Sequence, residues 1–332
     1  MKVMKAKKIF TAAILCAALC TAMTGCGGSD KKDSPQKSGL NVVCTSFAAY
    51  DWTCEIVGDH SDEVEVTYLL ESGVDLHSYQ PSVADITKIS DCDVFIYVGG
   101  ESESWTEDLL KEARNKDMKT LRLLDIGTAV EEELKEGMEA ESEEEPEDGH
   151  GEETEYDEHV WLSLRNAQVF CEEIADLLGE ADSENAEDYK SNAQSYCGKL
   201  GALDTKFTEL FSEHPGTVLI FGDRFPFRYF CADHGVDYYA AFAGCSAETE
   251  ASFETVTFLA GKVDELDVGT VFTIENSDGR VAQSIVQTAE KSGVRIAQLD
   301  SVQSVSRQDM DNGRNYLSIM EKNYDTLKEA LG

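Results

Sequence analysis

The chain has 332 residues, with 65 acidic and 28 basic side chains and a formal net charge of −37. That balance excludes a protein that holds nucleic acid through phosphate contacts, which needs clustered Lys and Arg. Apolar residues at 42% suffice for a packed core, which excludes wholesale disorder, and the length suggests two domains.

The first element in chain order is an address. Lys2, Lys5, Lys7 and Lys8 precede an apolar stretch from Ile9 to Met23, too short for a comfortable membrane span and typical of a signal-peptide core. The stretch ends in Met23-Thr24-Gly25-Cys26, which resembles the lipobox of bacterial lipoproteins. That resemblance implies removal of residues 1–25 and a lipid on Cys26. Residues 26–39 are polar and read as a flexible tether.

From Leu40, strand and helix patterns alternate. Strands are expected in LNVVCTSF, EVEVTYLL, DVFIYVGG and KTLRLLDI, with helices over AAYDWTCEIVG, Ser82–Cys92 and SESWTEDLLKEARNK. The second half repeats the scheme. TVLIFGD, VDYYAAFAGC, GTVFTIEN and VRIAQLDS read as strands, and RFPFRYFCADHG, SFETVTFLAGKVDEL, RVAQSIVQTAEKSG and NYLSIMEKNYDTLKEAL as helices. Strands spaced by helices imply parallel βαβ units. Between the halves, Leu164–Leu178 and Ser183–Glu213 read as helices, the second long enough to bridge two lobes as a stiff connector. The expected fold is therefore α/β: two Rossmann-like lobes of parallel sheet flanked by helices, joined by one long rigid linking helix. The expected boundaries are an N-terminal lobe over 40–180, the linking helix over 181–213 and a C-terminal lobe over 214–332.

One segment breaks the pattern. Glu131–Glu158 holds sixteen acids, one lysine and His150, a composition that cannot pack. It reads either as a solvated solubility loop or as a weak cation collector beside a binding site. Seven cysteines lie beyond the address and tether: Cys44, Cys54, Cys92, Cys171, Cys197, Cys231 and Cys245. An odd number cannot pair fully within one chain. None lies in a CxxC, which argues against a thiolate zinc cluster, and several lie on apolar faces as small hydrophobes. The pairing among them stays open.

Open α/β sheets bind ligands beyond the carboxyl ends of their strands. His77 follows the second strand, and His159 follows the fourth strand and the acidic run. Asp223 ends the first strand of the second half, and Glu275 and Asp278 end its third. If the lobes face each other, these residues converge on one cleft, a plausible site for Zn²⁺, Mn²⁺ or Fe²⁺. Each also has a plainer role: a surface histidine, a helix cap for Asp223, turn chemistry for Glu275 and Asp278. His60, His214 and His234 read as surface groups.

ESGVDLHSYQPS, around His77, resembles the G-x-x-x-H-x-Y-x-P segment of the zinc and manganese solute-binding lipoproteins of ABC transporters (cluster A-I). YDEHVWLSLRNA, around His159, resembles their D-x-H-x-W-L-x-P segment, with Leu164 in place of the proline. An acidic, often His-rich loop just before that motif marks the zinc-binding, ZnuA/AdcA-like branch; here the loop is acid-rich with a single histidine, His150. By this resemblance His77 and His159 are metal ligands, Asp278 or Glu275 supplies the final carboxylate, and Asp223 is a further candidate. The second half departs from H-x-x-F-x-Y: GDRFPF sets Gly222 at the histidine position, followed by Asp223 and by Arg224, a fixed cation that needs a carboxylate partner. AAFAGCSAETEAS resembles the loop ending E-x-E-P-S, with Ala251 for the proline.

The resemblance implies a receptor and not an enzyme. It would be a monomer anchored outside the cell membrane that captures Zn²⁺, with Mn²⁺ or Fe²⁺ as alternatives. It would deliver the ion to an ABC permease and its ATPase. The chain carries no P-loop, no HExxH and no G-x-S-x-G. The other readings are a receptor for a metal chelate, which Arg224, Arg228 and Tyr229 would serve, and a secreted metallohydrolase.

Overall fold

The computed structural model describes residues 39–139, 156–246 and 250–332. The signal peptide, Cys26 and the tether, and most of the acidic run, lie outside the described residues.

The first sheet holds β1 (Leu40–Cys44), β2 (Val64–Tyr68), β3 (Val94–Tyr97) and β4 (Lys119–Arg122), all parallel, in the order β2-β1-β3-β4. The second holds β5 (Val218–Phe225), β6 (Asp237–Ala243), β7 (Thr270–Thr273) and β8 (Arg295–Gln298), all parallel, in the equivalent order β6-β5-β7-β8. Central strands must be apolar on both faces because helices cover both. β3 is accordingly buried at all four positions, whereas the edge strands β4 and β8 carry exposed polar residues.

The helices are α1 (Phe47–Val57), α2 (Val83–Asp91), α3 (Trp105–Glu112), α4 (Leu164–Ala181), α5 (Ala186–Glu213), α6 (Arg228–His234), α7 (Phe253–Glu265), α8 (Arg280–Thr288), α9 (Arg307–Asp311) and α10 (Tyr316–Leu331). Their starts are written locally. Ser46, Ser82, Ser163, Ser252 and Ser306 each accept a backbone N–H of the first turn, and Asp85 and Asp309 close capping boxes. The 28 residues of α5 pass between the halves and pack along α4 and α1. A second connection accompanies it. α10 returns from the second half, and the Tyr316 ring meets Trp52 of α1 edge-on at 5.0 Å. One apolar cluster thus runs from Val42 to Leu327 through both sheets.

Three details differ from the expectations. β5 continues through Asp223 and Arg224 to Phe225 across a register shift, so Asp223 lies within a strand bulge and does not cap a helix. α9 was not expected. His234 is not a surface group: its side chain is 1% exposed and packs on Phe207, Phe211 and Phe230, and burial lowers its pKa to about 4.

Candidate metal centre

Three turns beyond the strand ends of the first sheet build the centre. After β2, Asp75 caps a short 3₁₀ turn (Leu76–Ser78): its Oδ1 accepts the His77 N–H at 3.0 Å and fixes the backbone of His77. After β3, a turn presents Ser102, whose hydroxyl meets His77 Nδ1 at 2.7 Å. After β4 and the acidic run, Asp157 Oδ1 accepts both the backbone N–H of His159, at 2.8 Å, and the ring Nδ1–H, at 2.9 Å. Each imidazole is therefore held by its Nδ1 and presents its Nε2. The two Nε2 atoms lie 3.1 Å apart.

That separation fits one small cation. Two bonds of about 2.0–2.1 Å from a tetrahedral zinc place their nitrogens roughly 3.3 Å apart. A polar atom on the Nδ1 of each ligating histidine is the usual support of such a site. Glu158 adds a buried carboxylate behind the His77 ring. Its Oε1 accepts the Ser102 N–H at 2.9 Å, and Oε2 has no hydrogen-bond partner and lies 3.4 Å from His77 Nδ1. Burial raises the Glu158 pKa. Burial also depresses His77, to about 3, with His159 adding to the effect. At His159 burial acts in the same direction, but Asp157 outweighs it and the net shift is upward. A proton on both rings is thus disfavoured, and His77 Nε2 is left as a lone pair.

The second half approaches from above His159. Gly244, at the end of β6, lies so close that a Cβ there would sit 2.9 Å from His159 Cε1 and 2.9 Å from the Phe225 carbonyl oxygen. The next residue is Cys245. Its Sγ and one ring nitrogen each of His77 and His159 lie within 4.8 Å of one another, the one group of three metal-ligand side chains found together among the described residues. Burial pushes the Cys245 thiol far up, and the charges of Glu132, Asp157 and Glu158 push it the same way.

The carboxylates expected from the second half lie elsewhere. Asp223, Glu275 and Asp278 line an adjoining cleft of about 520 Å³, together with Asp75, Arg224 and Arg280. Asp223 Oδ1 accepts the Arg224 N–H at 2.9 Å. Glu275 accepts the Ser301 N–H and hydroxyl, both at 2.6 Å, and burial and Asp300 raise its pKa. Asp278 is exposed and accepts the backbone N–H of Arg280 at 2.9 Å, which, with its pairing to the Arg280 side chain, lowers its pKa. His77 and His159 are brought together; these three are not brought to them.

Gly222 cannot stand for a histidine, because any Cβ there would lie 2.5 Å from the Ala282 Cα of α8. Counting back from Phe227-x-Tyr229 instead sets Arg224 at the histidine position of H-x-x-F-x-Y. Arg224 has the carboxylate partner it needs: it reaches Asp75 Oδ2 at 2.7 Å. Burial raises Asp75, but Arg224 outweighs it and holds the carboxyl below the usual range. Asp157, inside the D-x-H motif, was available to sequence reasoning. Cys245 carried no spacing signal.

Two parallel-sheet lobes with ligand-type atoms converging where they meet define the class of two-lobed solute-binding proteins. The chain belongs to the family described as zinc-uptake complex component A, periplasmic (ZnuA), whose family model matches residues 42–330. It is 30% identical to the zinc-binding lipoprotein AdcA of Streptococcus pneumoniae over 321 residues, 96% of this chain and 60% of that protein's length. It is 28% identical to the high-affinity zinc uptake system protein ZnuA of Bacillus subtilis, over 93% of each chain. Among solved structures, the Zn(II)-bound ZnuA-like domain of S. pneumoniae AdcA superposes with a TM-score of 0.70 at 28% identity, covering 88% of this chain and 99% of that one. By name and fold the family is one of solute-binding transport proteins and not of enzymes. No helix among the described residues is long and apolar enough to cross a membrane.

Proposed function

We propose that the protein is an extracytoplasmic receptor that captures Zn²⁺ where its two lobes meet and hands it to an ABC permease for import. The observation that carries this reading is the histidine pair, with two Nε2 atoms 3.1 Å apart and each Nδ1 already bonded. Zinc is favoured by the imidazole donors and by the zinc-binding names of the relatives. His77 and His159 hold the ion. The cleft beside them, with Asp223, Glu275 and Asp278 on its walls, is the mouth through which a cation enters. Arg224 closes part of that mouth by pairing with Asp75 across the lobes. Removal of residues 1–25 and a lipid on Cys26 keep the receptor at the membrane, as a monomer beside its permease and ATPase.

The test is metal content after purification, with competitive zinc and manganese titration of the parent, His77→Ala and His159→Ala. One tightly held zinc, lost in both variants, is the expected result. One manganese or iron would keep the site and change the cargo. No bound metal, with parent and variants alike, would reject the metal reading and leave a chelate receptor.

A further inference from the structure

The lobes meet at the histidine pair, and the second lobe brings a sulfur there. β6 ends against the His159 ring, and Gly244 permits that approach because it has no Cβ. The chain then turns, and Cys245 Sγ arrives within 4.8 Å of ligand-type nitrogens of both His77 and His159. No carboxylate of the second lobe joins this group among the described residues, and Asp223, Glu275 and Asp278 have hydrogen-bond partners of their own. Arg224 is paired with Asp75. Buried Glu158 stands behind the pair, its Oε2 3.4 Å from His77 Nδ1, on the side of the ring away from Nε2.

We propose that Cys245 is the second lobe's metal ligand, as a thiolate, completing a His77–His159–Cys245 donor set. The inference deepens the metal-receptor reading and rests on it. As the Sγ–metal bond forms, the S–H bond breaks, the proton leaves to solvent and the cation releases a bound water. A zinc–sulfur bond of about 2.3 Å beside zinc–nitrogen bonds of about 2.0–2.1 Å needs an S···N distance of roughly 3.6 Å. A movement of about an ångström between the lobes therefore makes the site from this geometry. The consequence is selectivity. A soft thiolate favours zinc and cadmium, whereas manganese and magnesium prefer oxygen donors. Retention of the cation also depends on both lobes, because two ligands come from one and the third from the other.

The test begins with the unaltered protein under reducing conditions, loaded with Co²⁺. A thiolate ligand gives an intense sulfur-to-cobalt charge-transfer band in the near ultraviolet, which nitrogen and oxygen donors do not. The band is expected in the parent and absent in Cys245→Ser and Cys245→Ala, whose circular dichroism serves as the folding control. Competitive titration is expected to show zinc affinity at least tenfold weaker in Cys245→Ala, with manganese affinity nearly unchanged. Cobalt bound by the parent without the band, or Cys245→Ala with parental zinc affinity, overturns the cysteine ligand while the metal receptor stands. Failure of the parent to bind any of these ions overturns both.

Discussion

Asp157 uses one carboxylate oxygen twice, accepting the backbone N–H and the ring Nδ1–H of His159. The first bond sets where the histidine sits, and the second sets which nitrogen it offers. An amide at that position could still accept one hydrogen bond, but it would remove the charge that favours the Nδ1–H tautomer. Asp157→Asn is expected to weaken zinc binding by about 10–100-fold with little change in melting temperature, the usual cost of a lost partner behind a ligating histidine. Isothermal titration checks it, and unchanged affinity would show that ring orientation comes from packing on Trp161 alone. At this scale the motifs told most: H-x-Y and D-x-H-x-W mark both histidines and Asp157, because each histidine and the carboxylate that positions it are neighbours in the chain. Cys245 was invisible for the opposite reason. It lies 86 residues from His159 in sequence, as one of seven similar thiols, and only folding assigns it a partner.

Elements were legible where burial dictates residue type. Parallel strands covered on both faces are mostly apolar: β3 is wholly so, and β7 is buried at all four positions with Val271 and Phe272 at its centre. β5 outran its apolar run because the bulge accommodates Gly222 and Asp223 before the strand resumes at Arg224. The return of α10 onto α1 was also hidden, since an amphipathic helix does not say which surface it will cover. That contact has a titratable centre. Asp51 of α1 accepts the Tyr316 N–H at 3.0 Å, and burial pushes its carboxyl up to about 7. Its unfolded value is about 3.9. Between those values the unfolded chain has lost the proton while the folded protein keeps it. Stability from this group is therefore greatest below pH ~4, falls as pH rises toward ~7, and is level above. Asn keeps an acceptor for Tyr316 and has no charge to desolvate. Asp51→Asn is expected to match the parent at pH ~4 and to exceed it by on the order of 3 kcal/mol at pH ~8. Thermal melts of metal-free protein at the two pH values decide, and an equal difference at both would remove Asp51 from the pH dependence.

On the scale of the molecule, the two sheets and the bridging helix could be read from the sequence, whereas the attachments of the described ends of the acidic run could not. Its described ends are tied to β6 and to each other. On the near side, Lys135 pairs with Asp237 and the Glu139 N–H meets the Ala241 carbonyl of β6 at 2.9 Å. A bridge between Glu131 and Tyr156 joins the two described ends just before the His159 motif. These contacts fix Glu139 and Tyr156, and residues 140–155, which separate them in sequence, carry nine acids. A charge density of this kind raises the local concentration of cations over roughly a Debye length, ~30 Å at 0.01 M salt and ~3 Å at 1 M. Replacing 140–155 by a neutral Gly/Ser segment of equal length leaves these contacts and the histidines intact. Stopped-flow capture of zinc is expected to slow several-fold at 0.01 M salt and to match the parent near 1 M, with the dissociation rate unchanged. Equal capture rates at low salt would remove the collector role and leave the run as a solubility segment. A change in the dissociation rate would instead mean that the segment takes part in holding the ion.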